Sequence, residues 1–132
     1  MTVNNKVSSG TLAKFLSGIE KDRYFKGSFL PLLSINGHSG GVSERLKHPD
    51  YAYRVYGKTG SLYYVNNLAG YLIGNSGKRY AFSIFTTHPK NREILNKKNS
   101  LETDLLRLQS KKWKVETSII IDNQLKRWIS LF

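Results

Sequence analysis

The central part of the chain, residues 51–87, is rich in tyrosine, valine and phenylalanine and contains one strong turn signal, Gly74-Asn-Ser-Gly77. β-Branched and aromatic residues favour strands, and such a turn between two runs of them is typical of a β-hairpin. The pattern predicts strands over residues 51–64, 67–73 and 79–87, with the last two paired as a hairpin. Four apolar side chains of the last strand are expected in the core, namely Tyr80, Phe82, Ile84 and Phe85.

Helical spacing of apolar residues marks both ends of the chain. Near the start, the spacing follows Ser8 and Ser9, each a suitable N-cap, and comprises Leu12, Phe15, Leu16 and Ile19. Residues 42–47 predict a short helical turn, and residues 92–108 predict a helix. After Lys111-Lys112, a last helical segment carries one apolar face, made of Ile121, Leu125, Trp128, Ile129 and Phe132. We expect it to cover a face of the sheet; the alternative is a basic helix on a membrane surface.

Size and composition limit the class of protein. The chain has 132 residues, enough for a single domain, residues 1–132, with its own core. It has no cysteine, which excludes a disulfide framework and a thiolate metal site. Its polar start lacks the pattern of a secretory signal, so no signal peptide is expected in this chain. The formal net charge of +12 favours polyanionic partners such as nucleic acid, anionic lipid or an anionic polymer.

The tetrapeptide Lys58-Thr59-Gly60-Ser61 points to a specific chemistry. Lys-Thr-Gly is one of three sequence elements of penicillin-binding enzymes, the others being Ser-x-x-Lys and Ser-Asp-Asn. The lysine supplies a fixed positive charge beside a nucleophilic serine and an anionic substrate terminus, and the threonine hydroxyl donates to a carboxylate. The glycine lets a substrate approach the strand closely. Alone, the tripeptide is a weak signal, because an exposed strand lysine before a turn has the same pattern.

Neighbouring segments make the motif specific. In order along the chain they are Lys58-Thr-Gly-Ser-Leu62, Val65-Asn-Asn-Leu-Ala-Gly-Tyr71 and Gly77-Lys-Arg-Tyr-Ala-Phe-Ser-Ile84. This order resembles the end of the D-alanyl-D-alanine carboxypeptidase/endopeptidase family of serine penicillin-binding proteins, the low-molecular-mass class C kind. Upstream, Leu30-Pro31, Asn36-Gly37 and Arg45 are similar to a segment of that family, although Ser39-Gly40-Gly41 adds residues there.

The resemblance covers roughly residues 3–87 and implies both a fold and a site. The implied fold is α+β, part of a β-lactamase/transpeptidase-like fold, with three antiparallel strands covered by N- and C-terminal helices. Lys58 would hydrogen-bond the serine of the second element and help organise proton transfer, and Thr59 would hold the substrate's terminal carboxylate. The strand through Gly60 would pair with a D-Ala-D-Ala peptide, and the backbone N–H of Ser61 would form half of an oxyanion hole.

The nucleophile of that family is not in this sequence, because no serine is followed at the third position by lysine. Two segments have a pattern similar to the family's second element, Ser-Asp-Asn. Ser34-Ile35-Asn36 lies in the wrong segment, and Tyr64-Val65-Asn66 follows Lys58 too closely along one strand to face the same site. Covalent catalysis needs a nucleophile within reach of a base. The chain is therefore interpreted as the C-terminal part of such an enzyme, and the polypeptide alone is expected to be inactive and not acylated by penicillin.

Partners and compartment follow from this interpretation. The intact parent is expected in the periplasm or cell envelope, with a peptidoglycan peptide or a β-lactam as ligand and no cofactor. The missing N-terminal lobe would leave a face exposed, so pairing with another copy or another chain is expected. His38, His48 and His88 are scattered and lack metal-ligand spacing, so no metal is expected.

The competing hypothesis is a small basic nucleic-acid-binding module, which would explain the charge and the tyrosines. Nucleic acid is the disfavoured partner, because no helix-turn-helix or RNP-type signature is present. The basic tail, which includes Lys97-Lys98 and Lys111-Lys112-Trp113-Lys114, is either a solvated helix face or a contact with an anionic cell-wall polymer or membrane.

Overall fold

The computed structural model describes residues 6–19, 29–97 and 101–132. Within these ranges the chain forms three α-helices, four β-strands and two short 3-10 turns. In chain order they are α1 (Ser9–Ile19), a 3-10 turn (Leu30–Leu32), β1 (Ser34–Ile35), a 3-10 turn (Gly40–Val42), β2 (Val55–Leu62), β3 (Val65–Ile73), β4 (Arg79–Thr87), α2 (Pro89–Lys97) and α3 (Leu101–Leu131).

The strands form one antiparallel sheet in the order β1-β2-β3-β4. The predicted hairpin is confirmed as β3 and β4, closed by the hydrogen bond from Gly77 N–H to the Gly74 carbonyl. The sheet has one strand more than expected, because β1, two residues long, pairs with Tyr56 and Gly57. A strand this short shows no alternation in the sequence.

Two boundaries around the first long strand differ from the prediction. β2 begins at Val55 and not at Tyr51, because Tyr51 N–H and Ala52 N–H both donate to the His48 carbonyl and close a turn. The helical turn predicted over residues 42–47 is instead the 3-10 turn Gly40–Val42. Tyrosine favours strands by composition, so Tyr51 and Tyr53 extended the predicted strand into the turn before Val55.

The core lies between one face of the sheet and the second half of α3. Its fully buried members are Val42, Val55, Leu68, Leu72, Ile121, Leu125 and Ile129, with Phe82 nearly so. The spacing of the three α3 residues places them on one face of the helix. Tyr80 and Ile84 pack against this cluster. Phe85 does not, because strand alternation turns it to the opposite face, where it is 37% exposed. The prediction that all four are core residues is therefore wrong for Phe85.

The helix α1 covers part of that opposite face. Ser8 is its N-cap, since Ser8 Oγ accepts a hydrogen bond of 3.0 Å from Thr11 N–H. The buried Tyr71 hydroxyl donates to the Leu16 carbonyl at 2.7 Å and so ties α1 to β3. The charged residues expected to end this helix, 20–23, lie outside the described residues.

In the C-terminal part of the chain, the boundary between the two helices lies at a different place from the one predicted. α2 ends at Lys97 and α3 runs from Leu101 through Lys111-Lys112 without a break. Lysine is a good helix former and does not end a helix. No helix in the described ranges combines the length and the apolar character needed to cross a bilayer.

An ion pair joins the loop before β2 to α3. The Arg45 guanidinium donates to Asp122 Oδ1 at 2.7 Å and to the Ser118 carbonyl at 3.0 Å. Both charged side chains are largely buried, 12% exposed for Arg45 and 23% for Asp122. The arginine that resembles the family pattern therefore has a structural role in this chain.

Replacing Asp122 by alanine is expected to lower the free energy of unfolding by about 2–3 kcal/mol, because a largely buried guanidinium loses its counter-charge. Urea unfolding followed by circular dichroism measures this loss. The control is Asp50→Ala, since the His48–Asp50 pair is mostly exposed, 68% and 71%, and is expected to contribute less than about 0.5 kcal/mol. Equal losses in the two variants would contradict the structural role of Arg45.

Candidate functional site

The Lys58–Ser61 motif lies on a part of β2 with one open side. On one side it pairs with residues 66–69 of β3. On the other side β1 reaches only Tyr56 and Gly57. Among the described residues no strand pairs with the motif there, and this side of Lys58–Ser61 is called the open edge below. An unpaired edge is a template for an added extended peptide.

The backbone groups that point to the open edge follow from the hydrogen bonds of Val55. On the β1 side, Val55 N–H donates to Asn36 Oδ1 at 2.7 Å, and the Val55 carbonyl accepts from Asn36 N–H at 3.0 Å. Residues of an antiparallel ladder direct their N–H and C=O groups to alternate sides. Thr59 and Ser61 therefore direct theirs to the same side as Val55, which is the open edge.

The Lys58 ammonium group lies along the open edge. Its Nζ donates a hydrogen bond of 2.7 Å to the carbonyl oxygen of Thr59, and the side chain is exposed. That carbonyl is an acceptor that a paired peptide would use. An exposed hydrogen bond contributes only about 0.5–1.5 kcal/mol net, so a ligand that offers a carboxylate can displace the lysine from it.

A cavity of about 530 Å³ opens beside the motif, between α1 and the sheet. Its polar lining consists of Lys58, Thr59, Gly60 and Asn67. The remaining wall is apolar and comes from α1, the segment before β1 and the sheet: Leu12, Phe15, Leu16, Phe29, Leu32, Leu33, Ala69 and Phe85. An apolar wall with a few polar groups is the usual composition of a small-molecule site.

Two glycines control the space around Thr59. A Cβ added to Gly60 would meet only Asn67 Cβ, at 3.9 Å, so the strand surface there is open to a ligand. A Cβ added to Gly41 would lie 2.4 Å from Thr59 Oγ1 and would force the threonine side chain to move. Gly41 belongs to the stretch that departs from the family spacing, and it lets this turn lie against Thr59.

Ser61 does not line the cavity. Its exposed side chain borders a separate depression of about 280 Å³, together with Tyr63, Lys111 and Lys114. The structure therefore brings Lys58, Thr59 and Gly60 together at one cavity, whereas Ser61 reaches the same edge through its backbone N–H.

Asn36 and Asn66, the asparagines of the two segments that are similar to Ser-Asp-Asn, stabilise the fold through buried hydrogen bonds. Asn36 is 1% exposed, and its Nδ2 donates to the carbonyls of Leu46 and Tyr51. Asn66 is 2% exposed, and its Nδ2 donates to Thr117 Oγ1 and Ser118 Oγ of α3. Asn66 lies on β3, after the turn, and not on the strand of Lys58 as the sequence had indicated. Its side chain faces away from the cavity.

The histidines also have local roles. His88 Nδ1 accepts a hydrogen bond from Asn91 N–H at the start of α2, and His48 lies 3.4 Å from Asp50 on the surface. Within the described ranges no three His, Cys, Asp or Glu side chains come close enough together to hold a metal ion.

Sequence reasoning missed the apolar wall of the cavity. Helical spacing placed Leu12 and Phe15 in the first helix without assigning them a role, and in the structure both line the cavity, with Phe15 60% exposed. The available signal was strand alternation, because Ala69 and Phe85 share a face with Lys58 when the strands are in register.

The solved structures that share this fold include two of the same protein. Both are Haemophilus influenzae penicillin binding protein 4 (dacB), one of them in complex with a novel β-lactam, and each is 27% identical with a TM-score of 0.60. The match covers 85% and 86% of this chain, which confirms the α+β fold expected from the sequence. It covers 24% and 26% of the matched chains, so this chain spans about a quarter of their length.

Sequence comparison agrees with the structural likeness. No curated protein sequence matches the chain significantly. The model of the D-Ala-D-Ala carboxypeptidase 3 (S13) family matches residues 1–106, most of the sequence. With its Lys-Thr-Gly strand, its sheet order and this match, the chain belongs to the D-Ala-D-Ala carboxypeptidase 3 (S13) family.

Proposed function

We propose that this chain supplies the substrate-binding strand of a serine-type D-Ala-D-Ala carboxypeptidase or endopeptidase that acts on peptidoglycan stem peptides. The observation that carries the proposal is the open edge at Lys58–Ser61, with the cavity beside it. Family membership and the likeness to penicillin binding protein 4 support it. Because no Ser-x-x-Lys motif is in the sequence, the role proposed for these residues is binding, and the attacking serine has to come from other polypeptide sequence.

The ligand would lie along the open edge as an added strand. Its terminal carboxylate would accept hydrogen bonds from the Thr59 hydroxyl and from Lys58 Nζ, which would leave the Thr59 carbonyl. That carbonyl would then be free to pair with the peptide. The next carbonyl of the ligand, the scissile one, would face the N–H of Ser61. A hydrogen bond to a charged group contributes about 1.5–3 kcal/mol, and an oxyanion donor about 10²–10³ in rate.

The proposed ligands are therefore a peptidoglycan peptide and β-lactams that imitate its end, and the proposed compartment is the periplasm or cell envelope. The alternative is a nucleic-acid-binding module. Tyr64, Tyr71 and Phe82 are at most 4% exposed and are not available to stack on bases, whereas Tyr53 and Tyr63 are more than half exposed. Tight binding of a random oligonucleotide with a steep salt dependence would favour that alternative.

Binding of a short fluorescent peptide that ends in D-Ala-D-Ala tests the proposal by anisotropy. We expect the free acid to bind about tenfold more tightly than the same peptide with a C-terminal amide, because only the acid can accept from Thr59 and Lys58. Thr59→Val is expected to remove most of this difference. The matched control is Thr87→Val, an exposed threonine at the end of β4, which is expected to change nothing.

Equal affinity for the acid and the amide would overturn the proposed role of Thr59. Incubation with labelled penicillin, followed by mass spectrometry, is expected to show no covalent adduct on this polypeptide. An adduct would mean that another side chain acts as the nucleophile.

A further inference from the structure

The first half of α3 carries an apolar stripe that faces solvent. Four of its members are more than half exposed: Leu105 at 57%, Leu108 at 63%, Val115 at 62% and Ile119 at 55%. Together with exposed Lys112 they recur at intervals of three and four residues, which is the a/d pattern of a coiled coil. Leu105, Lys112 and Ile119 take a positions and Leu108 and Val115 take d positions, and these five residues are called the α3 seam below.

The α3 seam is separate from the face that α3 uses inside the fold. The buried residues of this part of the helix, Thr103, Ser110 and Thr117, recur seven residues apart on the other side, and Ile121 follows four residues later. At 100° per residue the two stripes are on nearly opposite sides of the helix. A second helix can therefore lie against the seam without contacting the sheet.

We propose that the α3 seam pairs with the seam of a second copy of this chain as a short parallel coiled coil. Charge complementarity selects this occupant. In a parallel pair the g position of one helix faces the next e position of the other. Here g is Lys111 and e is Glu116, both exposed, so each helix offers a cation to the other's anion and the symmetric pair has two such contacts.

Lys112 at the centre of the seam supports a specific register. A single lysine at an a position costs stability but selects register and oligomer state, because out-of-register pairing buries it against apolar side chains. In the in-register parallel dimer the two Lys112 side chains lie side by side and extend into solvent along the seam.

The area involved predicts a weak dimer. With about 100 Å² of apolar surface removed from water per side chain, the eight apolar seam residues of two copies bury about 800 Å². Stable interfaces bury about 1,200–2,000 Å². We therefore expect a dissociation constant in the micromolar range or weaker.

Sedimentation equilibrium of the full chain, from about 5 to about 500 µM, tests the pairing. The average mass is expected to rise from the monomer towards the dimer over this range. Ile119→Glu is expected to weaken association at least about tenfold, because a charge enters the seam. The matched control is Ile120→Glu, the adjacent isoleucine outside the seam, which is 62% exposed and for which less than about a twofold change is expected. Circular dichroism verifies that both variants keep their helix content.

A charge exchange tests the parallel orientation. K111E makes both the e and g positions acidic, and E116K makes both basic, so each variant alone is expected to associate less than the unmodified chain. An equimolar mixture of the two is expected to recover a dimer, because unlike charges then face each other on both sides.

Each result of these experiments either supports or overturns the proposed dimer. A mass that stays monomeric at every concentration overturns the proposal. So does a dimer that Ile119→Glu and Ile120→Glu weaken equally, since it would use another surface. Failure of the mixture to recover association overturns the parallel arrangement. Recovery together with the isoleucine result supports the proposal.

Discussion

Replacing Asn36 by alanine is expected to lower the free energy of unfolding by about 3–5 kcal/mol. The side chain is 1% exposed and hydrogen-bonds to two parts of the loop before β2 and to the first residue of β2. Its Nδ2 donates to the carbonyls of Leu46 at 3.1 Å and Tyr51 at 2.9 Å, and its Oδ1 accepts from Val55 N–H at 2.7 Å. Alanine would leave these groups buried without partners, and each such group costs about 1–3 kcal/mol.

Urea unfolding followed by circular dichroism measures the loss for Asn36→Ala. The control is Asn75→Ala, because Asn75 is exposed in the β3–β4 turn and is expected to lose less than about 0.5 kcal/mol. Asn36→Asp is expected to be destabilised as well, since a carboxylate keeps the bond to Val55 but faces carbonyl oxygens to which it cannot donate. A loss below about 1 kcal/mol for Asn36→Ala would contradict this account.

The second large effect is expected for Gly70→Ala, with a loss of at least about 3 kcal/mol. Gly70 has a φ of +154°, and a Cβ there would lie 1.9 Å from the Tyr56 carbonyl oxygen and 2.7 Å from Gly57 Cα. These are backbone atoms of the paired strand, so relief requires β2 to move away from β3. Because the Lys-Thr-Gly motif is on β2, this movement would also displace the open edge and disturb the register between β2 and β3.

Gly60→Ala is the matched control, since both glycines belong to the β2–β3 pair. The nearest atom to a Cβ on Gly60 is 3.9 Å away, so we expect a loss below about 1 kcal/mol. The same methyl group would project into the cavity and weaken binding of the D-Ala-D-Ala peptide. Equal unfolding free energies for the two variants would show that close approach at Gly70 does not constrain the sheet.

The elements that were predicted correctly from the sequence are determined by residues that are close together in the chain. The β3–β4 hairpin follows from a turn signal between two β-rich runs, and the start of α1 follows from Ser8 and its hydrogen bond to Thr11. The Lys-Thr-Gly motif and its neighbouring segments predicted the family. These signals depend on residues that are close together in the chain, so the sequence displays them directly.

Other features depend on contacts between distant residues and were missed or misplaced. β1 exists because Ser34–Ile35 meets Tyr56 and Gly57, and β2 begins at Val55 because a turn closes just before it. Phe85 has the composition of a core residue, yet pairing in register places it on the cavity face. No local pattern distinguishes the first two outcomes from their alternatives, whereas strand alternation was the available signal for Phe85.

For the candidate site, the sequence by itself determined which residues we propose for the binding of substrate: a lysine, a hydroxyl and a glycine in one strand. Only the tertiary structure decided that this strand keeps an open edge, that Lys58 Nζ is bonded to the Thr59 carbonyl there, and that α1 supplies the apolar wall of the cavity. The physical reason is that an edge stays open only where the neighbouring backbone does not pair with it: β1 begins at Ser34, opposite Gly57, and the residues before it, Leu30–Leu32, form a 3-10 turn instead of extending the strand along Lys58–Ser61.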